Sequence, residues 1–298
     1  MPTTIRAAAA RTDPDTGSYL ELSARAARAC VERAEVYIDE IGMLVNAGVL
    51  RDDNLGEPAV AALIQKRLGL GLEYLPGRIP TLSFDMADGA MGLLHALSVV
   101  ECFLVTGEVE YALLVAGEAH PSTERAVPDF PYATSAAAFL LGTSPAAGGF
   151  GRLHTCDPVG PIEPYIWLDL DAAGANGRST VAVRPGVDAL GAACTTVRAA
   201  MLEHGLEPAD FGSGRAVLLA PGPGPDFPDR VANSLGLVTD AVVGVDPEVG
   251  DPHSAAPIHA YLNAQRRGRL ESAHTVLFLA ASAGSAACIA YRPYVVSC

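Results

Sequence analysis

The sequence has little positive charge. Its 298 residues include 20 basic and 34 acidic side chains, so the formal net charge is −14. Nucleic acids and anionic membranes bind clustered cationic surface, and neither is therefore expected as a partner. The only tight basic cluster is formed by Arg266, Arg267 and Arg269. Because it ends a predicted helix, we interpret it as favourable placement at the helix dipole.

Cysteine is also sparse, and no two cysteines are separated by only two residues. The six are Cys30, Cys102, Cys156, Cys194, Cys288 and Cys298. This scatter is typical of reduced core thiols and argues against a zinc site or a disulfide framework, so no metal is expected. The first residues lack the apolar core of a signal peptide, which predicts a cytoplasmic protein.

One charge-free run approaches the length of a membrane span. It covers residues 275–291, but residues 282–285 (SAGS) form a turn signal in its middle. The pattern favours two buried strands joined by a tight turn over a spanning helix. Half of the sequence is hydrophobic and 18% is charged, so we expect a large core and exclude a disordered chain.

Hydrophobic periodicity predicts helices alternating with strands along the whole chain. The predicted helices are 21–34, 59–68, 89–104, 187–204, 228–235 and 255–267, and the predicted strands are 43–45, 81–86, 111–116, 136–141, 216–220 and 241–245. The helix near 89–104 is apolar on nearly all sides and is expected at the centre of the fold. The alternation predicts an α/β class with mostly parallel sheets, and the Gly- and Pro-rich segment 144–151 divides the chain into 1–150 and 151–298.

Two segments, residues 82–97 (LSFDMADGAMGLLHAL) and 107–118 (GEVEYALLVAGE), carry a family resemblance. The first resembles the strand and helix that carry the nucleophile in the ketoacyl-acyl carrier protein synthase III branch of the thiolase superfamily, and the second resembles the strand that follows. With 38–48, 58–70 and the closing hairpin, the resemblance runs from about 20 to 293. It implies a thiolase-like fold: two similar βαβαβ halves stacked in a layered α/β/α/β/α architecture, usually dimeric.

The residues that this family uses for condensation are replaced here. The resemblance puts Ala90 where the catalytic cysteine belongs, Gly222 at the histidine, and Pro252 at the asparagine, with Asp251 as the neighbouring alternative. A methyl group cannot attack a thioester, so acylation of a cysteine is not expected at this helix. No cofactor is expected.

Five other side chains are weighed as substitutes. His253 is a possible general base or a residue of a helix-capping region, and Asp88 is an acid or base or an N-cap. His120 follows a strand, where site residues often lie, but has no identified partner. His95 is interpreted as a core histidine, and Cys156 is a possible relocated nucleophile outside the activating helix.

The sequence favours the first of three functions and leaves the other two open as alternatives. The first is a non-catalytic subunit of a heteromeric condensing enzyme in fatty-acid or polyketide biosynthesis, paired with a cysteine-bearing paralogue as a heterodimer or heterotetramer; a homodimer is the other assembly considered. The second is an active acyltransferase that takes acyl-CoA or acyl-carrier-protein thioesters through His253 or Asp88. The third is a module that binds an acyl chain or a carrier protein without chemistry.

Overall fold

The computed structural model describes residues 1–55, 57–72, 80–145, 148–158, 166–167, 180–184 and 187–293. Of the residues discussed above, Cys298 lies outside this part. The helices are α1 (Tyr19–Ala34), α2 (Val60–Leu68), α3 (Gly92–Thr106), α4 (Leu190–His204), α5 (Pro208–Gly212), α6 (Phe227–Leu235) and α7 (Ala256–Arg266). The strands are β1 (Thr3–Arg11), β2 (Ile41–Asn46), β3 (Leu82–Asp85), β4 (Tyr111–Glu118), β5 (Ser135–Thr143), β6 (Gly149–Cys156), β7 (Ile166–Trp167), β8 (Ala182–Val183), β9 (Ala216–Leu219), β10 (Val242–Val243), β11 (Thr275–Ser282) and β12 (Ser285–Arg292).

Two five-stranded sheets carry the fold, in the orders β1-β5-β4-β2-β3 and β10-β9-β11-β12-β6. Each combines parallel pairs, β4/β2/β3 and β10/β9/β11, with antiparallel pairs at the other side. The expectation of mostly parallel sheets was therefore wrong, because β5 runs against β4 and because β1 and β6 were not predicted. The predicted hairpin of β11 and β12 is confirmed.

The two missed strands have sequences that favour other structures. β1 reads TTIRAAAAR, and alanine favours helix, but pairing with β5 overrides that preference. β6 begins at Gly149, inside the Gly-rich segment taken as the joint between halves. The first sheet draws its strands from residues 3–143 and the second from 149–292; the division at residue 150 stays a prediction.

The layers follow from which faces are apolar. α1 and α2 pack on the outer face of the first sheet, and α4 and α6 on the outer face of the second. α3 and α7 lie between the sheets in the central core. This is the expected α/β/α/β/α stack, and it places the loops that follow β2, β4 and β9 near the turn that precedes α7.

The central helix α3 is buried on one side only. Leu93, Leu97 and Val100 have almost no exposed surface, whereas Cys102 is exposed and Val105 is 49% exposed. The prediction that this helix is buried at the centre of the fold was therefore wrong for the side that carries Cys102 and Val105. By length and composition the segment Gly89–Thr106 could span a membrane, but its buried side packs between the two sheets.

Candidate functional site

A buried carboxylate and imidazole meet where the two halves of the stack touch. Glu118 ends β4, and His253 opens the single turn that leads into α7. Nδ1 of His253 lies 2.8 Å from Oε1 of Glu118, while Oε2 accepts the Leu50 N–H at 2.6 Å. Glu118 has no exposed surface and His253 is 8% exposed. Both carboxylate oxygens are therefore engaged in a site that excludes most water.

The His253 backbone is held in a strained conformation. Its φ is +45°, in the left-handed region, where a non-glycine residue costs roughly 1–3 kcal/mol. The backbone N–H donates to Oδ1 of Asp251 at 2.8 Å, and the ring stacks on Tyr132 with centroids 4.2 Å apart and planes 16° apart. Next to it, the Ser254 hydroxyl bonds the Gly117 main chain. Together these contacts fix the position of the imidazole.

Asp251 adds a second carboxyl group to the same corner. Burial raises its pKa above the ordinary range, an effect that the His253 N–H partly opposes. The main-chain oxygen of Asp251 accepts the Ala133 N–H at 2.7 Å, which anchors the Asp251 turn to the segment that carries Tyr132. The site thus contains an imidazole and two carboxyl groups in different environments.

Three cavities meet around these side chains. The narrow cavity, about 30 Å³, lies between Ala90, Tyr132, His253 and Asp251. The Ile166 cavity, about 240 Å³, shares Tyr132 and His253 with it and is otherwise mostly apolar. The proline-lined cavity, about 460 Å³, is bounded by residues 221–225 and shares Asp251 with the narrow one. His253 forms part of the wall of two of the three, the narrow cavity and the Ile166 cavity.

The structure brings the three replaced family positions to this region. Ala90 and Gly222 line the narrow cavity with His253, and Pro252 lines the proline-lined cavity. A Cβ built on Gly222 would lie 2.2 Å from Cδ1 of Phe227. Since Phe227 is fully buried, the backbone here has no space for a histidine.

Asp88 and His95 pair with each other outside the cavities. Nδ1 of His95 lies 2.6 Å from Oδ2 of Asp88, and both side chains are about a third to a half exposed. The interpretation of His95 as a core histidine was wrong, because the ring leaves the buried side of α3. The N-cap reading of Asp88 was also wrong: its main-chain oxygen, not its carboxylate, accepts the N–H groups of Met91 and Gly92.

His120 has the partner that the sequence did not identify. Nδ1 lies 2.7 Å from the Ser122 hydroxyl and accepts the Ser122 N–H at 3.2 Å, and the ring contacts Phe130 edge-on. Burial lowers the pKa of His120. The ring is not part of the walls of the three cavities, so it belongs to a local turn.

No described cysteine lines these cavities. Cys156 lies at the end of β6, where it pairs with Ala286, and Cys30 and Cys288 are buried in the outer core layers. Burial raises the pKa of the Cys30 thiol to about 12 and that of Cys288 further. Over the described residues, the structure offers no thiol in place of Ala90.

Two aspartates pair with the arginine cluster. Arg266 pairs with Asp246 at 3.0 Å, and Arg267 and Arg269 both pair with Asp240. These contacts, in addition to the helix dipole, account for the cluster and offset two of its three positive charges.

Sequence reasoning missed Glu118 and Tyr132. Glu118 gave a usable signal, because it is the one charged residue at the end of an otherwise apolar strand, and a buried charge needs a partner. Tyr132 gave none, since it lies in a loop whose path depends on the Ala133–Asp251 contact.

Comparisons with known proteins agree with the fold and the resemblance. No protein-family model matches the chain. A beta-ketoacyl-[acyl-carrier-protein] synthase III from Neorickettsia sennetsu is 38% identical over 100 residues, which cover 33% of this chain and 29% of that protein. The synthase III of Pectobacterium atrosepticum is 26% identical over 265 residues, covering 87% and 79%.

A third relative and two solved structures extend the likeness. The acyl-CoA:acyl-CoA alkyltransferase of Xanthomonas campestris pv. campestris is 30% identical over 98 residues, 33% of this chain and 26% of that protein. FabH from Pseudomonas aeruginosa PAO1 superposes with a TM-score of 0.79 at 18% identity, covering 99% and 100%. OleA from Xanthomonas campestris, solved with lauric acid and lauroyl-CoA, gives 0.74 at 17% identity, covering 99% of each chain. The matched stretch thus spans less than a third of two of the curated relatives, and the structures support the fold alone.

Proposed function

Because this chain is a ketoacyl-acyl carrier protein synthase III-like member of the thiolase superfamily, we propose that it is a cytoplasmic acyltransferase that uses no cysteine. It takes acyl-CoA or acyl-carrier-protein thioesters of fatty-acid or polyketide biosynthesis and transfers the acyl group directly to an amine or hydroxyl. The observation that carries the proposal is the buried pair of Glu118 and His253, which opens on two cavities.

A structural role alone explains this pair poorly. A buried polar group is costly compared with apolar packing even when it is hydrogen-bonded, and here the imidazole also requires a strained backbone at φ +45°. A chain that had lost its catalytic function would not be under selection to retain either the buried pair or the strained backbone. Acidic and basic side chains in a cleft that excludes water are instead typical of the active sites of group-transfer enzymes.

Direct transfer needs a base and a leaving group but no covalent enzyme intermediate. Nε2 of His253 accepts the proton of the acceptor N–H or O–H while the acceptor lone pair forms a bond to the thioester carbon. The tetrahedral intermediate then collapses, the C–S bond breaks, and the thiolate takes the proton from His253 as it leaves. Atoms and charge balance, because a thioester and an amine or alcohol become an amide or ester and a thiol.

The test is the release of free CoA from octanoyl- and lauroyl-CoA with ethanolamine, which offers both an amine and a hydroxyl. His253→Gln keeps a hydrogen-bond donor for Glu118 but has no base, and it should lower the rate by about 10²-fold or more. The matched control is His120→Gln, the same change at a buried ring outside the cavities, which should stay within about threefold of wild type. The proposal is contradicted if the His253→Gln variant turns over at the wild-type rate. It is also contradicted if the wild-type protein releases no CoA with these probes.

A second candidate, the non-catalytic partner of a cysteine-bearing paralogue, has support from one surface. Val99, Cys102 and Val105 are spaced three residues apart on α3 and leave an incompletely covered, largely apolar stripe on the central helix. A partner, or a second copy of the chain in a homodimer, would bury it. Ala90, Gly222 and Pro252 fit a subunit without a condensing site.

Co-expression with a cysteine-bearing paralogue from the same genome separates the two candidates. A stable 1:1 complex, or a dimer of that complex, favours the partner role if Val105→Glu abolishes it and Leu202→Glu does not. Leu202 serves as the control because it is an equally apolar residue that is 84% exposed on α4. A stable homodimer that ignores the paralogue contradicts the heteromeric role. Bound acyl chain or CoA without turnover would instead favour a binding module.

A further inference from the structure

We propose that Glu118 is a positioning residue that holds the proton of His253 on Nδ1 and so leaves Nε2 free to act as the base. This inference rests on the proposed function and extends it to a residue that is not among the candidate site residues of the sequence analysis. The contacts of Glu118, of His253 and of the wall opposite Nε2 carry it.

Glu118 has a neighbour at each carboxylate oxygen. The Leu50 N–H can only donate, and it lies 2.6 Å from Oε2, so this oxygen is an acceptor. The neighbour of Oε1 is Nδ1 of His253 at 2.8 Å. In the proposed arrangement Oε1 accepts as well, and the proton between the two groups belongs to the imidazole.

The other ring nitrogen faces the cavities. Nε2 of His253 lies 4.0 Å from the point that a Cβ on Gly89 would occupy, and no protein group bonds it among the described contacts. Gly89 and Ala90 are small, so the space that a larger side chain would fill beside Nε2 stays open to the Ile166 and narrow cavities. A neutral ring with its proton on Nδ1 presents its lone pair there.

Three features hold the imidazole ring in one orientation, with Nδ1 toward Glu118. Tyr132 stacks flat on one face, the Asp251 carboxylate binds the backbone N–H, and the left-handed φ fixes the direction of the side chain. Rotation would also leave Oε1 of Glu118 buried without a donor, which is unfavourable. The arrangement specifies one orientation and one protonated nitrogen.

The experiment compares wild type with Glu118→Gln. Leu50 needs an acceptor, so the carbonyl of the substituted amide must face it and the amide NH₂ must face Nδ1, which moves the ring proton to Nε2. Histidine-selective ¹⁵N NMR reads the tautomer directly, with the His253 signals assigned by their loss in His253→Gln. CoA release should fall by about 10²–10⁴-fold in kcat with KM little changed, because a wrongly protonated imidazole cannot accept the proton.

Asp251→Asn is the matched control, because it removes the charge of a neighbouring carboxyl group while the amide oxygen can still accept the His253 backbone N–H; it should leave the Nδ1–H tautomer in place. Wild-type protein with its proton on Nε2 overturns the inference without any variant. The inference is also overturned if the Glu118→Gln variant keeps its proton on Nδ1. The same holds if the variant carries the proton on Nε2 and still turns over at the wild-type rate. Turnover that survives His253→Gln refutes the proposed function separately, whatever the tautomer.

Discussion

Gly222 offers a direct test of why the chain cannot carry the family histidine. A Cβ at this residue would lie 2.2, 2.5 and 2.5 Å from three ring atoms of Phe227, distances far below contact. Phe227 begins α6 and is fully buried, so its ring has no solvent to move into. Overpacking of this kind costs typically about 1–3 kcal/mol. Gly222→Ala should therefore lower the melting temperature by roughly 2–10 °C.

The matched control is Gly191→Ala on α4. A Cβ there meets nothing within 4 Å, and the residue has helical rather than left-handed backbone, so alanine should leave stability unchanged or raise it by up to about 1 kcal/mol. Differential scanning calorimetry and guanidinium unfolding of the three proteins give the comparison. Gly222→Ala that unfolds with the same midpoint as wild type would refute the packing argument, and with it the reason given for the missing imidazole.

Two further predictions concern groups away from the cavities. Nε2 of His259 is buried without a hydrogen-bond partner, and burial lowers the pKa of this histidine to about 4. In the unfolded chain the same group takes up its proton near pH 6.5. The free energy of unfolding should therefore fall by about 2 kcal/mol between pH 7 and pH 5. His259→Leu should reduce the pH slope in urea unfolding by that amount, and identical slopes would contradict the assignment. Exposed Cys102 should be alkylated by iodoacetamide before buried Cys30 and Cys288, as mapped by mass spectrometry, with CoA release unchanged; inactivation that Cys102→Ser prevents would argue against a cysteine-free mechanism.

Periodicity was a good guide wherever one face of an element decides its burial. α1, α2 and α6 were predicted within two residues at each end, because their apolar faces have the helical repeat and their ends carry glycine or a left-handed cap. β1 could not be predicted in this way. Its run of alanines has no alternation, and only the ladder to β5 makes it a strand.

The site was predictable in part, for a different reason. His253 stood out because a histidine beside Asp251 ahead of a helix is chemically conspicuous, and the structure does place it on the cavities. Its partner Glu118 lies 135 residues away, and no local pattern links the two. Long-range pairings of this kind depend on how the sheets stack, which the sequence specifies only through the whole core.

The three-point contact of Leu50, Glu118 and His253 has a consequence for folding. The carboxylate bonds groups that are 68 and 135 residues distant in sequence, one on each side of the stack. Contacts so remote form late, after the loops between them have been closed. The imidazole is therefore set in place only when both sheets have docked on the central helices. A nascent or half-folded chain would therefore lack the oriented imidazole, and the transfer reaction proposed above would require the fully folded protein.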